Sequence, residues 1–227
     1  MILARRPAAG SRMTSLAPIA AVRVVARSAG DAWDALLVMA LLSLAWIGLC
    51  LTVILAAPAT EALFEAMHTL AEGRTPDLTD MLRSIRRRFL ASWAWGAWSL
   101  AGFALFVAQV WFYLGASDAT AFVSAAFIVL GALFAVSVLY VWPFVFLDDD
   151  GQLVRAVRNA VLSVLAAPLF ALSLAFLLVL VIAASAVLVL PLAAFTPAFV
   201  CLVASHAVTD RLRAFGKLPP RPVVDAE

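Results

Sequence analysis

Residues 55–73 read LAAPATEALFEAMHTLAEG, and they interrupt an apolar run that begins near Trp33. After Pro58 the polar side chains recur at intervals of four, three and four, at Glu61, Glu65, His68 and Glu72. That spacing places them on one face of an α-helix. Pro58 suits the start or a kink of this helix, and Gly73 suits its end. The stretch therefore predicts a helix with an acidic face directly after an apolar segment.

Two structures satisfy this pattern. In the first, a membrane span ends near Pro58, and residues 59–72 lie as an amphipathic helix on the bilayer surface. In the second, the span ends near Cys50, and residues 53–72 return through the membrane with the acidic face toward other helices. The lack of polar turn residues near Thr52 favours the first structure. The distribution of basic residues, described below, favours the second.

Composition indicates a membrane protein. Of 227 residues, 65% are hydrophobic and 13% are charged, and the mean hydropathy is +1.04. A soluble domain is about 45–50% apolar and about 25% charged, so lipid must be the solvent for much of this surface. The apolar runs are unbroken, whereas the strands of a membrane β-barrel alternate apolar and polar residues. The predicted fold class is an all-α, polytopic transmembrane helix bundle with amphipathic interfacial helices.

Five segments are apolar over the about 20 residues that a membrane span needs. They are 32–57, 90–114, 119–147, 166–185 and 187–208, and a returning segment at 53–72 would give six crossings. These spans predict three regions: a basic N-terminal tail over 1–30, one transmembrane domain over 31–209 and a polar C-terminal tail over 210–227.

Basic residues predict the orientation. Arginines cluster at 74–88, two more follow at Arg155 and Arg158, and the C-terminal tail is basic, whereas the connection at 115–118 has no basic residue. The positive-inside rule places these three basic regions and the C-terminus in the cytoplasm. The N-terminus is basic as well. One crossing before the first cluster puts it outside, and two crossings keep it inside.

Few polar residues fall where functional side chains are expected. Ionisable or amide groups within spans are candidates for function, and they are Glu61, Glu65 and Gln109. Interhelical hydrogen bonding competes with substrate contact at Gln109. A solvated face competes with a metal or proton site at the acidic stripe, and an interfacial position is expected for His206. The helix after Pro76 adds candidates for docking a partner or lipid headgroups, namely Arg83, Arg86, Arg87 and Arg88.

Enzymatic chemistry is not indicated. The sequence has no phosphate-binding glycine loop, HExxH motif or nucleophile elbow. Cys50 and Cys201 have no metal-ligand spacing. The basic residues are scattered among span ends without aromatic stacking platforms, so nucleic acid is not an expected partner. We therefore expect a protein that is not an enzyme, holds no cofactor or metal ion, and has the lipid bilayer as a partner.

The string PATEALFEAMHTLAEG, followed by a helix ending in RRRFLASW, resembles the YesL-like family of small bacterial membrane proteins of unknown function. The strings VWPFVFLDDD and VRAVRNAVLSVL are similar to it as well, so the resemblance extends over residues 33–210. Its most specific part is the turn at Pro58, Ala59 and Thr60. Glu61 and Glu65 depart from it, since that helix is more apolar in the family.

The resemblance implies a bacterial plasma-membrane accessory or assembly factor linked to carbohydrate transport of the ABC type. Its implied partners are permease or nucleotide-binding subunits. The alternative is a small-solute transporter or channel in its own right, which requires polar residues that converge at mid-depth in the membrane.

Overall fold

The computed structural model describes residues 17–116, 121–148, 151–187 and 191–219. Within these ranges the secondary structure is helical and no strand forms, which confirms the all-α prediction. The helices are α1 (Ala17–Asp34), α2 (Leu36–Cys50), α3 (Ala56–Ala71), α4 (Leu78–Arg87), α5 (Phe89–Ala116), α6 (Ala121–Phe146), α7 (Leu153–Ala166), α8 (Pro168–Val187) and α9 (Pro191–Ala214). Most of the predicted C-terminal tail, at 220–227, lies outside the described residues.

Three described helices are long and apolar enough to cross a membrane. Their apolar stretches match the second, third and fourth predicted spans, and they are Phe89–Gly115, Phe122–Phe146 and Pro168–Ala186. Large apolar side chains on these helices are open to the surroundings, including Leu100, Phe122 and Phe176. Such a surface suits lipid rather than water, so the structure is consistent with a membrane protein.

The prediction of five strong spans is not confirmed. The first predicted span, 32–57, is not one helix, because α1 and α2 meet at a bend of 94° and count at most as one broken span. Its C-terminal part is the end of α2, a turn over 51–55 and the start of α3. The fifth predicted span falls largely on α9, which does not qualify as a span. Protein rather than lipid surrounds much of α9, since every residue over 201–208 is buried.

α3 is the central helix of the bundle. It packs against α2, α4, α5, α6 and α9, and its buried residues surround most of its axis: Pro58, Ala59, Glu61, Ala62, Leu63, Phe64, Ala66, Met67 and His68. The alternative that places residues 59–72 on the bilayer surface is therefore wrong. The turn after Cys50 agrees with the second alternative. However, α3 has 16 residues, or roughly 24 Å, which is short of the about 30 Å hydrocarbon core, so six crossings are not confirmed.

Threonines stabilise the turn between α2 and α3. The hydroxyl of Thr52 donates to the carbonyl of Leu49 over 2.7 Å. The indole of Trp46 donates to Oγ1 of Thr60 over 3.1 Å, which ties α2 to the N-terminal part of α3. Val53 has a φ of 58°, which is rare for a β-branched residue. A turn therefore forms here although the sequence offers only Thr52 as a polar turn residue.

Residues 17–30, which the sequence assigns to a basic tail, form most of α1. This helix packs against α8 and α9 and buries Ala21, Val24 and Ser28. Its arginines at 23 and 27 point outward. A narrow stripe of small and apolar side chains is enough to dock the helix, and the overall basic composition conceals that stripe. The preceding residues of the predicted tail lie outside the described residues.

One end of the bundle gathers the predicted basic regions. Arg88, between α4 and α5, donates from Nη1 to the carbonyl of Gly151, just before α7, over 3.4 Å. The end of α6, the middle of α7 and the stretch after α9 line one shared cavity, which includes Leu147, Asn159 and Lys217. The three regions that the sequence predicted on one side of the membrane are therefore close in space.

Candidate functional site

Two carboxylates of α3 and one hydroxyl of α4 form a polar cluster in which Glu61 and Ser84 are buried and Glu65 is partly exposed. Glu61 is 0% exposed, and Oγ of Ser84 lies 3.1 Å from its Oε1 and 3.0 Å from its Oε2. The same hydroxyl contacts Oε2 of Glu65. Glu61 and Glu65 are four residues apart and so share one face of α3. Ser84 lies on the buried face of α4 with Met81 and Ile85. We call Glu61, Glu65 and Ser84 the carboxylate cluster.

Two of the four candidate arginines close this cluster. Nη2 of Arg87 lies 2.7 Å and 2.9 Å from the two carboxylate oxygens of Glu65. Nε of Arg88 lies 3.9 Å from Oε1 of Glu61. The Arg87 side chain is 57% exposed, so water screens its ion pair. Arg88 is 24% exposed, and it links α3 to the backbone before α7.

Burial favours the protonated form of the Glu61 carboxyl. Burial raises the pKa of Glu61 to about 7, the Ser84 hydrogen bond opposes that rise, and the negative charge of Glu65 supports it. The charges of Arg88 and Arg87 oppose it as well. One hydroxyl proton can serve only one carboxylate oxygen at a time. A proton on Glu61 supplies a second donor, which makes the protonated form favourable in this place.

The predicted acidic stripe divides along α3. Glu61 and Glu65 face α4, whereas Nε2 of His68 lies 3.7 Å from Oε1 of Glu72. His68 is 7% exposed, so the prediction of a solvated face is wrong for both Glu61 and His68. Burial lowers the pKa of His68, which favours a neutral imidazole. Among the described residues, no group of three His, Cys, Asp or Glu side chains could hold a metal ion.

Gln109 does not join the carboxylate cluster. It lies on α5 about 20 residues beyond Phe89, which corresponds to roughly 30 Å along a helix axis. The cluster is at the Phe89 end of that helix, because Arg88 contacts Glu61. The three intramembrane candidates of the sequence therefore do not converge at one depth.

Two buried polar contacts, those of Ser84 and of His206, had little or no signal in the sequence. Ser84 could be placed on the apolar side of α4 by its spacing from Met81, but its partners are on another helix. His206, which we expected at an interface, is 3% exposed. Its Nε2 lies 2.7 Å from Oδ2 of Asp31, at the end of α1. No local pattern could reveal that contact, since α1 and α9 are far apart in the chain.

The outer face of α4 carries the other two candidate arginines. Arg83 forms an exposed ion pair with Asp80 over 3.1 Å, and Arg86 is exposed. Leu78 and Leu82 on the same helix are 47% and 49% exposed. We call Leu78, Leu82, Arg83 and Arg86 the α4 outer face. No protein-family model, curated protein or solved structure matches the chain.

Proposed function

We propose that the protein is a non-enzymatic accessory or assembly factor of the bacterial plasma membrane, linked to carbohydrate transport of the ABC type. The α4 outer face is the observation that carries this proposal. The carboxylate cluster and Arg88 hold α4 against α3, so that Leu78, Leu82, Arg83 and Arg86 form a fixed surface that is both apolar and basic. Such a surface fits an acidic, partly apolar patch on a permease or nucleotide-binding subunit.

The proposed orientation puts the α4 end of the bundle in the cytoplasm, together with the C-terminus. The gathering of basic regions at this end supports it, because positively charged loops remain on the cytoplasmic side. In this arrangement α5, α6 and α8 cross the membrane, and α9, whose residues 201–208 are buried among the other helices, returns the chain to the cytoplasmic side. A cytoplasmic nucleotide-binding subunit can then reach α4. The link to carbohydrate transport in this proposal comes from the resemblance of the quoted motifs to the YesL-like family.

The alternative is a small-solute transporter or channel, and it has less support. A transport pathway needs polar groups near one depth. Glu61 and Glu65 lie at one end of α5, and Gln109 lies roughly 30 Å along that helix. The carboxylates are also committed to Ser84, Arg87 and Arg88.

Reversing two charges on the α4 outer face is expected to release the partner. We expect Arg83→Glu combined with Arg86→Glu to lower the recovery of transporter subunits at least about tenfold, because attraction becomes repulsion at the contact. The measurement is co-purification from native membranes in mild detergent, with a C-terminal tag and equal amounts of bait.

Arg158→Glu is the matched control for this experiment. Arg158 is an exposed arginine on α7, and its reversal should leave the recovery unchanged. Wild-type protein that brings no transporter subunit, or a double variant that brings as much as the control, would contradict the proposed function.

A further inference from the structure

The cavity shared by the end of α6, the middle of α7 and the stretch after α9 has a volume of about 420 Å³. Most of the side chains that line it are apolar, and they include Phe144, Leu162 and Phe215. Leu162 is 55% exposed and Phe215 is 44% exposed. Lys217, which also lines the cavity, is exposed as well. A ligand outside the protein can therefore reach both the apolar part of the lining and its ammonium group.

The cavity lies at the level of a membrane surface. The apolar stretch of α6 ends at Phe146, and that of α8 begins at Pro168. Leu147 and Ala166 line the cavity and are within two residues of these ends. The ends of membrane spans lie where the hydrocarbon core meets the lipid headgroups. A lipid molecule of the bilayer can therefore place its headgroup here while its chains remain in the hydrocarbon core.

Three polar groups of the lining are free to bind a ligand. They are the amide of Asn159, the hydroxyl of Ser163 and the ammonium of Lys217, and none of them has a hydrogen-bond partner among the described residues. Asn159 and Ser163 are partly exposed. All three groups can donate hydrogen bonds, and an ammonium can only donate. The ligand that suits this lining presents acceptor oxygens.

The charges of the lining favour an anionic amphiphile. Oδ1 of Asp148 lies 3.6 Å from Nη1 of Arg155, so a neighbouring cation offsets this carboxylate. Within the described ranges no carboxylate forms an ion pair with Lys217. A soluble anion would meet the charge of Lys217 but would leave Leu162 and Phe215 in water. A molecule with an anionic head and a hydrocarbon chain satisfies both parts of the lining.

We infer that this cavity binds an anionic phospholipid of the surrounding bilayer. The headgroup phosphate accepts from Lys217, and the oxygens below it accept from Asn159 and Ser163. The first part of an acyl chain packs against Leu162 and Phe215. Basic pockets between helices at the membrane surface bind anionic lipid headgroups. The inference goes beyond the proposed function, because it uses the membrane arrangement given above but requires no partner on the α4 outer face.

The first test measures how accessible Lys217 is, which is practical because Lys217 is the only lysine in the chain. Full-length Arg86→Lys protein is placed in nanodiscs of phosphatidylcholine, with or without phosphatidylglycerol, and is treated with an amine-reactive reagent. Peptide mass spectrometry gives the labelling rates at positions 217 and 86. Position 86 is exposed on α4, so it reports the general effect of an anionic surface.

We expect phosphatidylglycerol to slow the labelling of position 217 about fivefold more than that of position 86. Equal slowing at the two positions would overturn the inference. Protection of position 217 by soluble glycerol phosphate to the same extent as by the lipid would overturn it as well, since the acyl chain would then contribute nothing.

The second test compares two exposed leucines of α7. Leu162 lines the cavity, whereas Leu165, which is 62% exposed, is outside its lining. Leu162→Gln is expected to weaken the binding of a fluorescent phosphatidylglycerol in neutral detergent micelles about fivefold. Leu165→Gln should bind it as the wild type does, and Lys217→Gln should lose the preference for phosphatidylglycerol over phosphatidylcholine.

Equal affinities of the two leucine variants, or a wild-type protein that binds both lipids equally, would contradict the inference. The labelling test changes no residue of the cavity, so it decides the matter if Leu162→Gln fails to fold. Co-purification of transporter subunits is a separate result, and neither of its outcomes bears on lipid binding.

Discussion

Glu61→Gln is expected to be more stable than the wild type at pH 8 by about 3 kcal/mol and to equal it near pH 4. Burial raises the folded-state pKa of Glu61 from 4.5 to about 7. Between these values the folded protein keeps a proton that the unfolded chain has released. The stability contributed by this group therefore falls as the pH rises through that window. Glutamine is neutral at every pH, so the variant does not lose that stability.

Reversible unfolding in mixed micelles, carried out on both proteins at each pH, measures this difference. Subtracting the two free energies of unfolding removes the contributions of groups that the proteins share, including His68. Asp80→Asn is the control, because it removes a carboxylate whose side chain is 71% exposed, and exposed pairs contribute little. A difference between Glu61→Gln and the wild type that stays constant from pH 4 to pH 8 would show that Glu61 does not take up a proton in this range.

Ser84→Ala is expected to lower the free energy of unfolding by about 2 kcal/mol at pH 8. The reason is that the carboxylates of Glu61 and Glu65 lose the donor that they share. At pH 5 the loss should be smaller, since protonated Glu61 can donate to Glu65 itself. The same unfolding measurement at the two pH values gives both numbers.

Ser43→Ala provides a close control for this substitution. Ser43 is 0% exposed and Ser84 is 2% exposed, but the hydroxyl of Ser43 has no hydrogen-bond partner within the described ranges. Removing an unpaired buried hydroxyl is neutral or slightly stabilising. Equal losses in the two variants would mean that the Ser84 hydroxyl contributes only its volume, which contradicts the hydrogen-bonded cluster.

The helical period revealed which side chains of α3 share a face, but it did not reveal what that face meets. The position of Glu61 and Glu65 on one face of α3 follows from their spacing alone. Their partner Ser84 is 23 residues from Glu61 in sequence, and only the packing of α4 on α3 brings it into reach. The pattern is the same for a helix on the bilayer surface and for one inside a bundle. This is why the surface alternative was open in the sequence and wrong in the structure.

Apolar length predicted α5, α6 and α8 well, and it failed where the chain bends or where protein replaces lipid. Hydropathy contains no information on backbone direction, so residues 32–57 looked continuous across the end of α2 and the turn at Val53. A protein core and a bilayer select similar side chains. The buried part of α9 therefore resembled a span, although it is surrounded by other helices and includes His206.

Four arginines in a short basic helix looked equivalent in the sequence. The structure separates them, because the period of α4 turns Arg87 toward Glu65 and leaves Arg86 exposed. Arg88 follows the last residue of α4 and points toward Glu61. Arg86 and Arg83, which has an exposed ion pair with Asp80, lie away from α3. This narrows the proposed docking surface to one side of the helix.

Binding of a transporter subunit to the α4 outer face is the central claim, and site-specific photocrosslinking in native membranes tests it most directly. A photoreactive amino acid replaces Leu82 on α4, and in a separate protein it replaces Leu100 on the lipid-suited surface of α5, where the side chain is 72% exposed. We expect light to join position 82 to a permease or nucleotide-binding subunit and to give no such product from position 100. Adducts with lipid alone at both positions would contradict the claim.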